Sequence, residues 1–241
     1  MDQEQGRAVA IKRWLDIALG IALGALALPL AVLIVLGIRL DSPGRTLFRA
    51  KRIGRQGRPF TMYKFRTMHR GAEERLEELA HLNLAAGMTK IPHDPRVTRM
   101  GKWLRRFSLD ELPQIYNVIA GDMSLVGPRP HDAHELPKGD LEHEPRLSMR
   151  PGLTGLWQVS ARSDPNLASR VRYDLLYVKR WSLLLDLKIL LKTVPIVALG
   201  RGGLVDETRP AALLDGPQVS VAAPAAGLMG ITAGATGEEG P

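Results

Sequence analysis

Residues 17–38 read IALGIALGALALPLAVLIVLGI, a run with no charged or polar side chain. As a helix it covers about 33 Å, enough to cross the hydrocarbon of a bilayer. A secretory signal peptide, with Ala25-Leu26-Ala27 as its cleavage site, or an unusually apolar core helix would share this composition. The run continues well past that site and is longer than most signal h-regions, which favours membrane insertion. Pro29 removes a backbone hydrogen bond just past the centre, so a kink is expected there. Lys12 and Arg13 flank one end, and Arg39, Arg45, Arg49, Lys51 and Arg52 follow the other. Basic residues on both sides give a straight span no clean orientation. They suit a re-entrant helix that bends at Pro29 and returns to the same face, with a kinked span as the alternative.

Moving outward, residues 39–70 carry ten Lys or Arg against one acid, Asp41. Such a juxtamembrane excess favours anionic membrane lipids. Within it, PFTMYKFR (59–66) has the aromatic, alternating character of a short strand, and Gly54 and Gly57 mark a turn before it. GAEERLEELAHLNLAA (71–86) has the apolar spacing of a surface helix or lid. VTRMGKWLRRF (97–107) and residues 171–200 mix bulky apolar with basic residues, as helices resting in a headgroup region do, and Pro195 limits the last of them. Tyr173, Tyr177 and Trp181 recur at helical spacing, which means packing and not a cofactor box.

The chain has 241 residues, a net charge of +8 and no cysteine. Disulfides, thiolate metal sites and cysteine nucleophiles are excluded, and the charge implies an anionic partner: nucleic acid, membrane or phosphorylated substrate. Residues 1–40 are expected to be the membrane-inserted segment and 41–209 a catalytic domain. Residues 210–241, rich in Ala, Gly and Pro, are expected to be a disordered tail.

The segment RRFSLDELPQ (105–114) sets two acids behind a basic run at an expected helix start. Ser108 and Glu111 have capping-box spacing, and acids at a helix N-terminus are ordinary, so taken alone Asp110-Glu111 reads as a cap. Beside Arg105 and Arg106, the same pair makes a site for a diphosphate and a divalent metal, with one acid free to attack phosphorus. Downstream, NVIAGDMSLVGPRP (117–130) holds an apolar, strand-like run, and Pro128 and Pro130 stiffen the backbone around Arg129. RPGLTGLWQV (150–159) again places an arginine, Arg150, beside proline and glycine. His131, His134 and Glu135 form an H-x-x-H-E string without the order of a zinc protease and are read as solvated loop residues.

KFRTM (64–68), SLDELPQIYNVIAGDMSLVGPRP (108–130), RPGLTGLWQV (150–159) and DLLYVKRWSLLLDLKILLKT (174–193) together resemble the bacterial sugar transferase family. These are monotopic polyprenyl-phosphate phosphoglycosyl transferases, and the likeness runs in order from about Lys12 to Thr193, in the family's minimal form. The resemblance implies an α/β fold, helix-rich with a small sheet, with a re-entrant N-terminal helix and interfacial amphipathic helices. It implies transfer of a sugar phosphate from a nucleotide diphosphate sugar, usually a UDP-sugar, to polyprenyl phosphate. UMP is released and Mg2+ is required, at the cytoplasmic face of the bacterial inner membrane. Asp110 would be the covalent nucleophile, with Glu111 completing the dyad and both near the metal. Arg105, Arg129 and Asp174 would be active-site residues, with Lys64 and Arg150 as further substrate-binding candidates. Leu28 stands before Pro29 where some members carry serine, and Ala161 lies where the family often has glycine. The rival from another class is nucleic-acid binding, since IGRQGR (53–58) resembles a KH-type GxxG loop. Pro59 leads into a strand instead, and no nucleic-acid partner is expected. A purely structural membrane anchor is the third reading, and only an enzyme would lose transfer when Asp110 is replaced by Asn.

Overall fold

In the computed structural model of the chain, the described residues are 3–82, 91, 93–132, 144–162, 164 and 166–200. They all fall within one compact unit, Met1–Val205. The expected tail at 210–241, with His134 and Glu135, lies outside the described residues.

Helix α1, Gln3–Asp41, continues as α-helix through Pro29. Among the described residues it is the helix long and apolar enough to cross a membrane. Its side chains divide the helix into three parts. Near the start, Lys12, Asp16 and Gly20 recur at four-residue spacing and are buried, which puts them on one face. Near the end, Ile34 and Ile38 are buried against Phe65 and Leu104. Between these docked ends the large side chains are exposed, with Leu26 at 79% and Leu33 at 64%.

Strands β1, Leu47–Ile53, and β2, Pro59–Phe65, form an antiparallel hairpin, with Ala50 opposite Met62. The turn between them holds Gln56 at φ 57 and Gly57 at φ 73. Helix α2, Arg99–Arg106, is capped by the Thr98 hydroxyl, which accepts from Gly101 N at 2.9 Å. Gly101 is required by close approach: a Cβ there would strike the Thr67 carbonyl. Helix α3, Gln114–Ala120, packs on α1, where Gly20 and Gly24 leave room for Ile115, Val118 and Ile119. Strands β3, Ser124–Val126, and β4, Gly152–Thr154, pair in parallel, and α4, Leu156–Ser160, follows β4. Helices α5, Leu167–Arg180, and α6, Leu183–Ala198, close the unit.

The main core gathers Met62, Val118, Met123, Leu125, Val126, Tyr177 and Ile189. Tyr177 is fully buried, its hydroxyl donates to Asp186 Oδ1 at 2.7 Å, and Trp181 packs against the same core, which bears out the packing role read for these two aromatics. Asp186 also accepts from Trp181 Nε1 at 3.2 Å and from Lys12 Nζ at 2.6 Å, tying α6 to α1.

The molecule is thus helix-rich with two small sheets, as expected, and several local readings change. The apolar run after Asn117 is first a helix and only then a strand, because Ile115 and Val118 gain more by packing on α1 than their β-branched shape loses. Residues 71–82 form successive turns ending in a 3-10 turn, Ala80–Leu82, in place of a regular α-helix. Pro195 lies inside α6 and does not end it; so near the C-terminus it breaks little of the ladder.

Candidate active site

The adjacent acids sit on a 3-10 turn, Leu109–Glu111, between α2 and α3. Ser108 adopts φ 55, and its hydroxyl makes no capping bond, so the expected capping box does not form. The reason is local. Pro113 starts α3 only at Gln114, and the chain reaches it through i to i+3 bonds from Glu111 N to Ser108 O and from Leu112 N to Leu109 O. Neighbours on such a turn diverge by about 120°, so Asp110 and Glu111 meet different surroundings.

Four cations are brought to them from four elements. Lys64 comes from β2, and Lys64 Nζ lies 3.4 Å from Glu111 Oε1. Its strand is held on the side away from β1 by Asn117, whose Nδ2 donates to Thr61 O at 2.8 Å while Oδ1 accepts from Tyr63 N at 3.1 Å. Arg105, from α2, donates Nε to the Thr67 hydroxyl at 2.9 Å. Arg129 follows β3 with its guanidinium carbon 5.7 Å from the centre of the Trp157 ring. Its backbone N–H donates to Asp174 Oδ1 at 3.3 Å. Arg162 follows α4. Lys64, Arg105, Arg129 and Arg162 line one cavity of about 620 Å³ with Asp110 and Glu111.

Electrostatics separate the two carboxyls. Burial and then the neighbouring Glu111 charge raise the Asp110 pKa above its ordinary value, and Lys64, Arg105 and Arg162 only partly offset this. Burial would raise Glu111 too, but Lys64, Arg129 and Arg162 outweigh it and hold that carboxyl at about 2. Glu111 is therefore the permanent anion, and Asp110 the more basic, more nucleophilic oxygen donor. Burial also lowers Arg105 and Arg162, yet a guanidinium stays charged at neutral pH.

Two expected residues stand apart from the cavity. Arg150 turns away, donating Nε to the Gly121 carbonyl at 2.8 Å. Asp174, 1% exposed, lies behind Arg129 and acts on it through the backbone. Burial pushes Asp174 up to about 7, against the opposing Arg129 N–H and the Arg170 charge. His131 is buried and not a solvated loop residue, and burial followed by the Arg146 and Arg170 charges lowers it to about 3. Sequence reading missed Arg162, although Asp164 and Pro165 mark a turn just after it. It also missed the wall formed by Arg66 and residues 67–74.

No group of three or more His, Asp or Glu side chains suited to a metal occurs among the described residues. The dyad instead offers two hard carboxylates, and no described residue hydrogen-bonds Asp110. That donor set suits magnesium, which takes one or two carboxylates and completes its shell with phosphate oxygens and water.

Residues 7–200 match the family described as bacterial sugar transferase. The chain is 46% identical over 197 residues to the exopolysaccharide production protein ExoY of Sinorhizobium fredii, covering 79% of this chain and 87% of that protein. It is 44% identical over 196 residues to the UDP-glucose:undecaprenyl-phosphate glucose-1-phosphate transferase of Caulobacter vibrioides, covering 76% of this chain and 68% of the relative. It is 41% identical over 192 residues to the undecaprenyl-phosphate galactose phosphotransferase of Salmonella typhimurium, covering 78% of this chain but 40% of that longer protein. With the match spanning α1, the dyad turn and the arginine loops alike, the chain belongs to the bacterial sugar transferase family.

Proposed function

We propose that this protein transfers the sugar phosphate of a UDP-sugar to polyprenyl phosphate, releasing UMP, through a covalent intermediate on Asp110. The observation that carries the reading is the division of labour in the dyad: a basic Asp110, without a hydrogen bond from any described residue, beside a Glu111 clamped by cations. In the first step an Asp110 carboxylate oxygen attacks the phosphorus that bears the sugar, and the bond to UMP breaks. Lys64, Arg105, Arg129 and Arg162 spread the charge gathering on the phosphoryl oxygens and on the departing UMP. In the second step an oxygen of the lipid phosphate attacks the same phosphorus and the Asp110 carboxylate leaves. Magnesium bound by Asp110 and Glu111 would supply charge neutralisation of the diphosphate.

The membrane arrangement belongs to the same reading. At one end of the apolar run, Arg13 donates to the Val118 and Ile119 carbonyls, at 2.7 and 2.9 Å, and Asp16 accepts from Ser124 and Leu125. At the other end, Asp41 Oδ2 accepts from Met100 N at 2.9 Å. One body fastened to both ends supports a re-entrant α1, because a straight span would carry those ends to opposite faces. The basic stretch at 39–70 would face anionic lipids on the cytoplasmic side of the inner membrane.

The test is to trap the intermediate. Incubation with labelled UDP-sugar and no lipid acceptor should leave a phosphosugar on Asp110 and one equivalent of UMP. Strictly ternary-complex kinetics with no adduct would sink the scheme.

A further inference from the structure

The cavity that holds the dyad is also lined by Arg66 and Arg70, on a wall that carries Glu73 and Glu74 as well. Strand β2 passes Lys64 and delivers Arg66 and residues 67–74 as a further wall. Arg66 is fixed in that wall: Nη1 donates to Pro43 O at 2.7 Å, and Nη2 donates to Ser42 O at 2.6 Å and to Ser42 Oγ at 2.7 Å. Ser42 follows α1 directly and closes its last turn, with Ser42 N donating to Ile38 O at 3.1 Å. A guanidinium lining the cavity is therefore bound to the very end of the apolar helix.

Arg70 joins it across Gly44. This glycine has φ 122, and a Cβ there would strike Arg66 Nη1 and come within 3.1 Å of Arg70 Cδ. Both arginines thus pack over one glycine, close enough that burial and then the Arg70 charge depress the Arg66 pKa. Arg66 spends both Nη groups on the end of α1, while its buried Nε has no hydrogen-bond partner among the described residues. Arg70 is exposed and makes no hydrogen bond or ion pair with a described residue. The Asp41 charge opposes the depression at Arg66 without reversing it, and two like charges placed this way on a cavity wall attract a further anion.

The surroundings say which anion. Leu36 and Leu40 share one face of the last turns of α1 and are 52% and 89% exposed, and Phe48 of the same cavity is exposed as well. Guanidinium forks for a phosphate and exposed leucines for hydrocarbon form the recognition chemistry of a lipid phosphate. A nucleotide or free phosphate would leave the leucines unused.

We propose that Arg70, with Arg66 beside it at the α1 end of the cavity, receives the phosphate of the acceptor lipid. Its hydrocarbon leaves along Leu36 and Leu40, while the four cations around the dyad hold the donor. This assignment rests on the transfer reading above. The acceptor oxygen held there forms the new bond to phosphorus as the bond to Asp110 breaks.

Arg70→Glu and Arg70→Lys in the full chain, in nanodiscs, test it with two assays. One follows exchange of labelled UMP into UDP-sugar without lipid acceptor; the other follows transfer at varied undecaprenyl phosphate. Arg70→Glu should raise the KM for undecaprenyl phosphate about thirtyfold, the size of a lost charge-assisted hydrogen bond, and Arg70→Lys should recover most of it. Exchange should change by no more than about threefold, since Arg70 is exposed and an exposed charge acts weakly on a group it does not touch. Equal losses in both assays, or an unaltered KM, would overturn the assignment. So would a KM effect that disappears in nanodiscs without anionic phospholipid, because Arg70 would then serve the bulk membrane surface. Absence of exchange in the unaltered protein would count against the covalent scheme, and the KM comparison would still read the acceptor end by itself.

Discussion

Lys64 Nζ stands 3.4 Å from Glu111 Oε1 and joins strand β2 to the dyad turn. The contact is long for a charge-assisted hydrogen bond, so much of its effect is electrostatic. Removing the ammonium takes away the largest influence that opposes burial at Glu111, with Arg129 and Arg162 remaining, and the Glu111 pKa should rise from about 2. Lys64→Met should lower kcat/KM about a hundredfold, the typical cost of losing one preorganised donor. The acid limb of its pH profile should move to higher pH. A parallel drop at every pH, with the limb in place, would confine Lys64 to substrate binding.

Glu111→Gln tests the other half of the pair. The Asp110 pKa is raised by burial and then by the Glu111 charge, so activity that needs ionised Asp110 falls as pH drops through that raised value. Neutralising Glu111 removes one raising influence, and the acid limb of adduct formation should move to lower pH. The rate at the plateau should fall by about two to three orders of magnitude, as electrostatic support is lost. Asp110→Asn should form no adduct at any pH. An adduct in that variant would place the nucleophile elsewhere.

Asp174 is pushed up to about 7 by burial while the unfolded chain keeps the ordinary value of 3.8. Between these values the folded state holds a proton that the unfolded state has lost, so stability is full below about pH 4 and drains away as pH rises towards 7. Asn in its place has no proton to lose and keeps an acceptor for the Arg129 N–H. The melting temperature of Asp174→Asn, relative to the unaltered protein, should therefore climb from pH 4 to 7, by the equivalent of at most about 4 kcal/mol. A difference that stays flat across that window would remove Asp174 from the titrating groups.

How much of this was legible in the sequence depends on whether the signal was local. The hairpin was legible because Gly54, Gly57 and the alternating run at 59–66 are local signals. The dyad's position was legible, but its setting was not: Ser108 has capping-box spacing, yet its left-handed φ of 55 follows from packing between α2 and Pro113. Asn117-Val118-Ile119-Ala120 reads as part of a strand-like run until Gly20 and Gly24 of α1 give these residues and Ile115 a surface to pack on as a helix. Arg162 enters the site only because α4 brings it next to residues about fifty positions earlier. Arg150, flanked by stronger turn signals, was the more visible arginine, and its guanidinium ends on Gly121. Proline and glycine report how stiff a loop is, not which way it faces.

The two fastened ends of α1 lead to a topology prediction that the composition makes easy to test. The chain has no cysteine, so a single introduced thiol reports one position without background. Arg7→Cys precedes the apolar run and Arg45→Cys follows it, and both positions lie outside the hydrogen bonds that Arg13, Asp16 and Asp41 make to the catalytic body. A charged, membrane-impermeant maleimide added to intact spheroplasts should label neither thiol. After permeabilisation it should label both to a similar extent, because a body held at 16 and again at 41 keeps both ends on one face. Labelling of Arg7→Cys alone in intact spheroplasts would mean a straight span. The contacts of Lys12 with Asp186 and of Asp16 with Leu125 would then have to break in the membrane, exposing a buried lysine and a buried aspartate at once. Leaving such charges unpartnered costs several kcal/mol, and this is the physical ground for expecting the re-entrant pattern.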